Sequence, residues 1–312
     1  MTAGDDAHKP VLLDEALAAL AVRGDGCYVD GTFGRGGHSG AILGRLGPAG
    51  HLLAIDQDED AVSSAREQFG DDPRFSVARA SFADLDKVVN ARGIGGQVDG
   101  VLLDLGVSSP QLDDADRGFS FLRDGPLDMR MDQRQATSAA DWIARASESE
   151  ISSVLQRFGE ERHARRIARA IVAARRESPI RTTRRLADIV AAANPAWERD
   201  KHPATRTFQA IRIHINQELS AIEACLPQAV KVLKLGGRLA VITFHSLEDR
   251  LVKQFFRNAA RGDRFPKGLP VPADRLRPTL RLLGKPVAPS APEVARNPRA
   301  RSARLRAAER IA

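Results

Sequence analysis

The chain has 312 residues, 43% of them hydrophobic, which suits one large domain or two smaller ones with a sizeable core. Its net charge of +7, carried mostly by arginine, invites a polyanionic partner, although an excess of arginine and alanine also follows from a GC-rich genome. Cys27 and Cys225 form no CxxC pair, the histidines show no metal spacing, and charges interrupt every apolar run before membrane-spanning length, so no metal, disulfide framework or membrane partner is expected and the expected setting is a reducing cytoplasm.

Residues 1–10 read as a flexible lead, and Val11 to Leu20 has helical spacing. A short apolar run, Tyr28-Val29-Asp30, then ends in an acid and meets a glycine-rich turn, Gly31 to Ser39; Ala41 to Leu46 reads as a helix. Strand, glycine turn and helix form the first unit of a nucleotide-binding α/β sheet. The turn is no P-loop, because no Gly-Lys-Ser/Thr follows at the required spacing. It is no dinucleotide fingerprint either, because after Gly34 and Gly36 the third glycine is misplaced at Gly37, followed by His38. An acid before the glycines suits S-adenosylmethionine, whose amino-acid end carries an ammonium and no phosphate. The second strand, 51–55, ends at Asp56, placed where a carboxylate can take ribose hydroxyls. The alternative is a tight turn with no ligand, and Asp30 and Asp56 together argue against it.

Asp60 to Phe69 reads as a helix and Phe75-Ser76-Val77 as a third strand, followed by Phe82 and a helix to about Ala91. Gly100 to Gly106 is an apolar fourth strand carrying Asp104, as a buried parallel strand should read. The alternation predicts a Rossmann-like, doubly wound α/β sheet. From about Gln111 to Ala204 no good strand is found: a loop at 113–132 precedes helical patterns at 138–146, 148–158, 160–177 and 183–193. The predicted division is therefore 1–110 and 205–312 for the sheet domain and 111–204 for an inserted all-helical, substrate-recognising domain. After it come a helix through Phe208, another from Leu226 to Leu235, a strand at 238–243 and a helix from Leu247 to Phe256. The remainder shows a Pro-rich linker near 266–278, a strand at 279–283, a second Pro-rich loop and an Arg-rich end.

In a parallel sheet the strand C-termini open on one edge, and ligands bind there. That edge should collect Asp30, the glycines, Asp56, Asp104 and its loop, and Phe244-His245-Ser246. Phe82 is placed either against an adenine ring or in the core. The loop Ser108-Ser109-Pro110-Gln111 resembles the Ser/Asp/Asn-Pro-Pro-aromatic loop of amino-group methyltransferases, with one proline absent and Gln111 in place of the aromatic. An exocyclic amine is a weak nucleophile; an oxygen that accepts its N–H concentrates density on nitrogen and aligns it, so positioning and electrostatics suffice. An ordinary turn remains the alternative. Ser108, Ser109, His245 and Ser246 are the candidate catalytic residues. The patterned helix with Ala164, Ile167, Ala168, Ile171 and Val172 on one face carries Arg165, Arg166, Arg169 and Arg176 on its other sides, with Arg162 just before it. These, with Arg206, are the candidate RNA contacts; a solvated face is the alternative.

Long motifs now fall in order along nearly the whole chain. They include His8 to Glu15, Asp30 to Ser39, Asp104 to Asp114, Arg117 to Phe121, Gly125 to Met131, Gly159 to Arg162, His202 to Ala210, Phe244 to Arg250 and Asn297 to Ser302. In these stretches the chain resembles the MraW-type methyltransferases, which act on the N4 amine of a cytosine in bacterial small-subunit ribosomal RNA. The resemblance implies a class I S-adenosylmethionine-dependent fold with an inserted helical domain. It implies cofactor contacts at Gly36, Gly37, His38, Asp56, Phe82, Asp104 and Gln111, to which the turn adds Asp30 and Gly34. It also implies 16S ribosomal RNA in the small subunit, near the decoding centre, as substrate, with the oligomeric state, a dimer included, left open. A DNA amine methyltransferase and a cofactor-responsive RNA-binding assembly protein are the rival readings.

Overall fold

A computed structural model of the chain describes residues 10–195, 202–263 and 277–312. Residues 1–9 of the expected lead at 1–10, and most of the expected linker at 266–278, lie outside those residues. The chain divides into two compact units, 1–106 with 219–312, and 107–218.

The first unit opens with α1 (Leu13–Leu20), β1 (Cys27–Asp30), α2 (Gly37–Leu43), β2 (His51–Asp56), α3 (Glu59–Phe69), β3 (Phe75–Arg79), α4 (Leu85–Ala91) and β4 (Val98–Asp104). A 3-10 turn at Phe82–Asp84 precedes α4. Helix α2 starts four residues earlier than the pattern predicts. Gly36 caps it in the left-handed region (φ 76°), so the turn closes directly into the helix.

The second unit holds α5 (Ser109–Asp113), α6 (Ala139–Arg145), α7 (Glu148–Gly159), α8 (Ala164–Glu177), α9 (Thr183–Ala193) and α10 (Thr205–Ile215). The sequence pattern missed α5, which a proline in its first turn supports. It also merged Glu160 with α8; the residue instead ends α7 in the left-handed region (φ 49°). The predicted insert stops at 204, whereas this unit runs to 218, because α10 packs on α7. A Cβ on Gly159 would lie 2.7 Å from the Arg206 carbonyl, so glycine permits that approach. The 113–132 loop gives Phe119, Leu127, Met129 and Met131 to this unit's core. Met129 and Met131 are buried, and Asn216 clamps them by accepting the Met131 N–H at 2.8 Å and donating to the Met129 carbonyl at 2.8 Å.

The chain continues through α11 (Glu218–Val232), β5 (Leu233–Thr243), α12 (Ser246–Arg261), β6 (Leu280–Leu282), α13 (Ala291–Arg296) and β7 (Arg304–Arg310). The helix predicted to Leu235 stops at Val232, and the last three residues join β5. The sheet order is β3-β2-β1-β4-β5-β7-β6. Strands β1 to β5 are mutually parallel, and β7 runs antiparallel to both its neighbours. Side chains alternate between two cores. Val29, Leu53, Val101, Leu103 and Val241 pack toward α4, α11 and α12, while Tyr28, Leu52, Leu102 and Ile242 pack toward α1 and α2. A sheet apolar on both faces with helices on each is the doubly wound architecture.

The Arg-rich end is not all tail: residues 304–310 form an interior strand of the sheet. Arg306 pairs with Asp249 at 2.7 and 2.9 Å. Arg310 donates to the Lys231 carbonyl at 3.0 Å and also to that of Leu233. Pattern reading missed the strand because its arginines sit where a buried strand would carry apolar residues.

Candidate active site

Neighbouring parallel strands end in carboxylates: Asp30 on β1, Asp56 on β2 and Asp104 on β4. The register sets Asp30 beside Ala54 and Leu102, so the three acids and the glycine turn share the sheet's C-terminal edge.

Asp30 is 1% exposed and braces the turn from beneath, accepting the Thr32 N–H at 3.1 Å and the Ser39 hydroxyl at 2.7 Å. Burial raises its pKa, and the Ser39 bond and the nearby His38 oppose that rise. Both oxygens thus serve the turn, and Asp30 acts on any ligand through it. Asp56 takes the Gly34 N–H at 2.9 Å on one oxygen and the Asp58 N–H at 2.9 Å on the other. Burial pushes it up to about 6, against those two bonds. Each carboxylate oxygen keeps a second lone pair for a ligand hydroxyl.

Asp104 is also pushed up to about 6 by burial, with His38 lowering it and Asp30 and Glu248 raising it. Its backbone N–H donates to Thr32 Oγ1 at 2.6 Å. Its Oδ2 stands 3.6 Å from His38 Nδ1, and the side chain keeps 26% of its surface open. Its Oδ1 is buried with no hydrogen-bond partner among the described residues. The other nitrogen of His38 lies 3.2 Å from the Val11 carbonyl. A carbonyl only accepts, so Nε2 carries a proton and Nδ1 faces Asp104.

Packed side chains fix the two inner glycines. A Cβ on Gly37 would lie 2.3 Å from Pro10 Cγ, and one on Gly36 would lie 2.5 Å from Phe33 Cζ. Phe82 follows β3 and lies beside the turn, its Cβ 3.6 Å from where a Cβ on Gly31 would stand. It is half-buried and packs on the core, which is the second of the two sequence alternatives.

The donor set fits S-adenosylmethionine. A phosphate would meet three carboxylates here, whereas an ammonium gives the orphaned Asp104 oxygen the partner a buried acceptor needs. Asp56 suits ribose hydroxyls, and the glycines admit the cofactor's backbone-hugging end. When bound, this cofactor supplies an electrophilic methyl group on a sulfonium.

His245 stands at the same edge after β5, as the N-cap of α12. Its Nδ1 accepts the Glu248 N–H at 3.5 Å. Its Nε2 lies 3.1 Å from Glu248 Oε1, off the hydrogen-bond axis. Glu248 Oε2 in turn accepts the N–H groups of Phe244 at 2.8 Å and His245 at 3.2 Å. Nδ1 is therefore engaged within its own turn, while Nε2 faces Glu248 with no hydrogen-bond partner among the described residues. Ser246 is the first residue of α12.

Ser108, Ser109 and Gln111 begin the second unit. Ser108 caps α5, Ser109 opens it, and Gln111 is buried with its side-chain oxygen accepting the Ser108 N–H at 3.0 Å. That reciprocal cap explains Gln111 where the amino-methyltransferase loop has an aromatic.

On α8 the five predicted apolar positions are all buried. Arg162, Arg165, Arg166, Arg169 and Arg176 are exposed. From 157 to 185 the sequence has ten arginines against three glutamates. Arg169 approaches Glu148 at 3.7 Å, an exposed pair that water screens. Arg206 differs: it is half-buried and donates to the Glu160 carbonyl at 3.0 Å, closing the end of α7.

Pattern reading missed the structural parts of Thr32, Ser39 and Glu248. Only Glu248 left a signal, since an acid three residues after a helix cap is the capping-box spacing. With His245 in the place of serine or threonine, that spacing is easy to overlook.

Among the described residues no helix is long and apolar enough to cross a membrane. The family model of the MraW methylase family matches residues 5–311. Relatives called ribosomal RNA small subunit methyltransferase H agree over nearly their whole length. The one from Thioalkalivibrio sulfidiphilus is 60% identical over 307 residues, covering 98% of each chain. That from Chromohalobacter salexigens is 58% identical, covering 99% of this chain and 93% of its own. That from Coxiella burnetii is 56% identical, covering 98% and 99%. A cation-suited edge on a doubly wound sheet agrees with these matches, and the chain belongs to the MraW methylase family of S-adenosylmethionine-dependent methyltransferases.

Proposed function

We propose that the chain transfers the methyl group of S-adenosylmethionine to the N4 exocyclic amine of a cytosine in small-subunit (16S) ribosomal RNA, in the cytoplasm, within the small subunit near its decoding centre. The observation that carries this reading is the agreement, over 98% of both chains, with a relative called ribosomal RNA small subunit methyltransferase H. The residues support it in two ways. Only three residues separate Asp104 from Ser108, whose hydroxyl oxygen is suited to accept an amine N–H. The exposed arginines of α8 offer phosphate contacts, which supply most of the sequence-independent affinity for RNA.

The cytosine amine is neutral and conjugated, so the chain's work is alignment. In this reading Ser108 or Ser109, or an adjacent carbonyl, accepts the amine N–H, and the 244–246 turn holds the base. The cytosine must be unpaired or extruded to present its amine. No side chain needs a strongly raised pKa to deprotonate the amine before attack.

Tritium from methyl-labelled cofactor, mapped onto fragments of RNA from isolated small subunits, tests this. Label in one small-subunit fragment, recovered as N4-methylcytidine, is the expected result. Label on DNA alone, or no turnover with any acceptor, would overturn it.

A further inference from the structure

Glu248 is fully buried, and a carboxylate withdrawn from water is costly unless its oxygens are used. Capping alone does not explain the burial, since a capping-box glutamate at the third position of α12 would serve as well half-exposed. The carboxylate instead gathers the turn after β5. It accepts the backbone N–H of Phe244 at 2.8 Å and of His245 at 3.2 Å, and the His245 ring lies 3.1 Å away.

That turn touches the end of β4. The Phe244 ring lies over Gly106, where a Cβ would stand 3.6 Å from Phe244 Cδ2. Gly106 has a φ of 102°, closed to other residues without strain. One step earlier, the Leu105 N–H donates to the Ile242 carbonyl at 3.0 Å. The path from Asp104 into its following loop is therefore gauged against the Phe244-His245 turn. The charge of Glu248 also reaches Asp104, adding to the rise in its pKa.

We propose that Glu248 is a positioning residue for methyl transfer, holding the Phe244-His245 turn against the end of β4 so that the edge beside Asp104 keeps its shape. This rests on the reading that the amine is methylated at this edge. It assigns the turn's contribution to backbone placement. The His245 imidazole faces Glu248, its Nδ1 accepting the Glu248 N–H at 3.5 Å.

The test uses full-length protein, isolated small subunits and saturating S-adenosylmethionine. Glu248→Gln removes the charge at constant size and should slow single-turnover methylation about 10²-fold, the cost of a misplacement of about 1 Å. Cofactor affinity should stay within about threefold, so the loss falls on turnover and not on binding. Glu248→Asp keeps charge and cap and should recover about a tenth or more of the wild-type rate. Val252→Ala, which trims the buried face of α12 away from the turn, should lower the melting temperature yet keep the rate. A Glu248→Gln enzyme at the wild-type rate overturns the proposal. So does a Val252→Ala enzyme as slow as Glu248→Gln, or loss of the native fold in both Glu248 variants. A wild-type protein inert on small subunits strikes down the preceding reading and this one with it; wild-type turnover with an equally fast Glu248→Gln strikes down this one alone.

Discussion

The hydroxyl oxygen of Thr32 accepts the backbone N–H of Asp104 at 2.6 Å, tying the glycine turn after β1 to the end of β4. Thr32→Val keeps the shape and leaves that N–H without its acceptor, which should cost about 1–3 kcal/mol of stability. S-adenosylmethionine affinity should fall roughly tenfold, because 1.4 kcal/mol of lost alignment is a tenfold effect. Thr32→Ser should restore both. Thermal unfolding and calorimetry read the two effects separately, and a Thr32→Val protein with wild-type values in both would refute the coupling.

Acidification should weaken cofactor binding. Asp56 and Asp104 are each raised to about 6 from an ordinary 3.8. Without ligand, both bind a proton more readily folded than unfolded. Their ionisation therefore works against the fold above about 6, and that penalty fades as pH falls toward 4. Binding has the opposite sign, since a cationic ligand and ribose hydroxyls need the ionised forms. Affinity should be level above pH 7 and fall at least about tenfold between pH 7 and 5. Calorimetry across that range should show the slope in the wild type and a shallower one in Asp104→Asn.

Asp56 anchors the turn through the Gly34 N–H as well as offering oxygens to ribose. Asp56→Ala should weaken S-adenosylmethionine about ten- to a hundredfold, the value of one or two charge-assisted hydrogen bonds. The sheet should survive, since Asp56 ends its strand rather than packing in it. Unchanged affinity by titration calorimetry would remove Asp56 from the site.

The arginine face makes a separate prediction. Changing Arg165, Arg169 and Arg176 together to Gln should weaken RNA binding and flatten its salt dependence by roughly one unit of log–log slope per lost phosphate contact. Cofactor affinity should not move, because none of the three is among the candidate cofactor residues. An unaltered slope would return these arginines to a solvated face.

The sheet's parallel half was legible because its strands are apolar on both faces and end in acids, as Val101 to Asp104 does. The α8 stripe was legible because five buried positions repeat at helical spacing. Strand β7 was hidden, since Arg306 and Arg310 occupy a sheet through pairing with Asp249 and backbone carbonyls, which no local pattern encodes. The division of labour among the acids was equally hidden. Asp30, Asp56 and Asp104 read alike in sequence, yet one is locked by Ser39, one shared with Gly34, and one keeps a buried oxygen without a partner among the described residues. Those differences come from long-range neighbours, as does the role of Glu248.

Strand β7 lies between β5 and β6, so an interior place in the sheet stays vacant until residues 304–310 have been made. During synthesis the helical unit, contiguous from 107 to 218, has all its residues well before the sheet can close. Until then β5 would wait as an unpaired edge open to wrong partners. Shortening the chain before Arg304 would not trim a tail: it would remove an interior strand and leave the nascent sheet to aggregate.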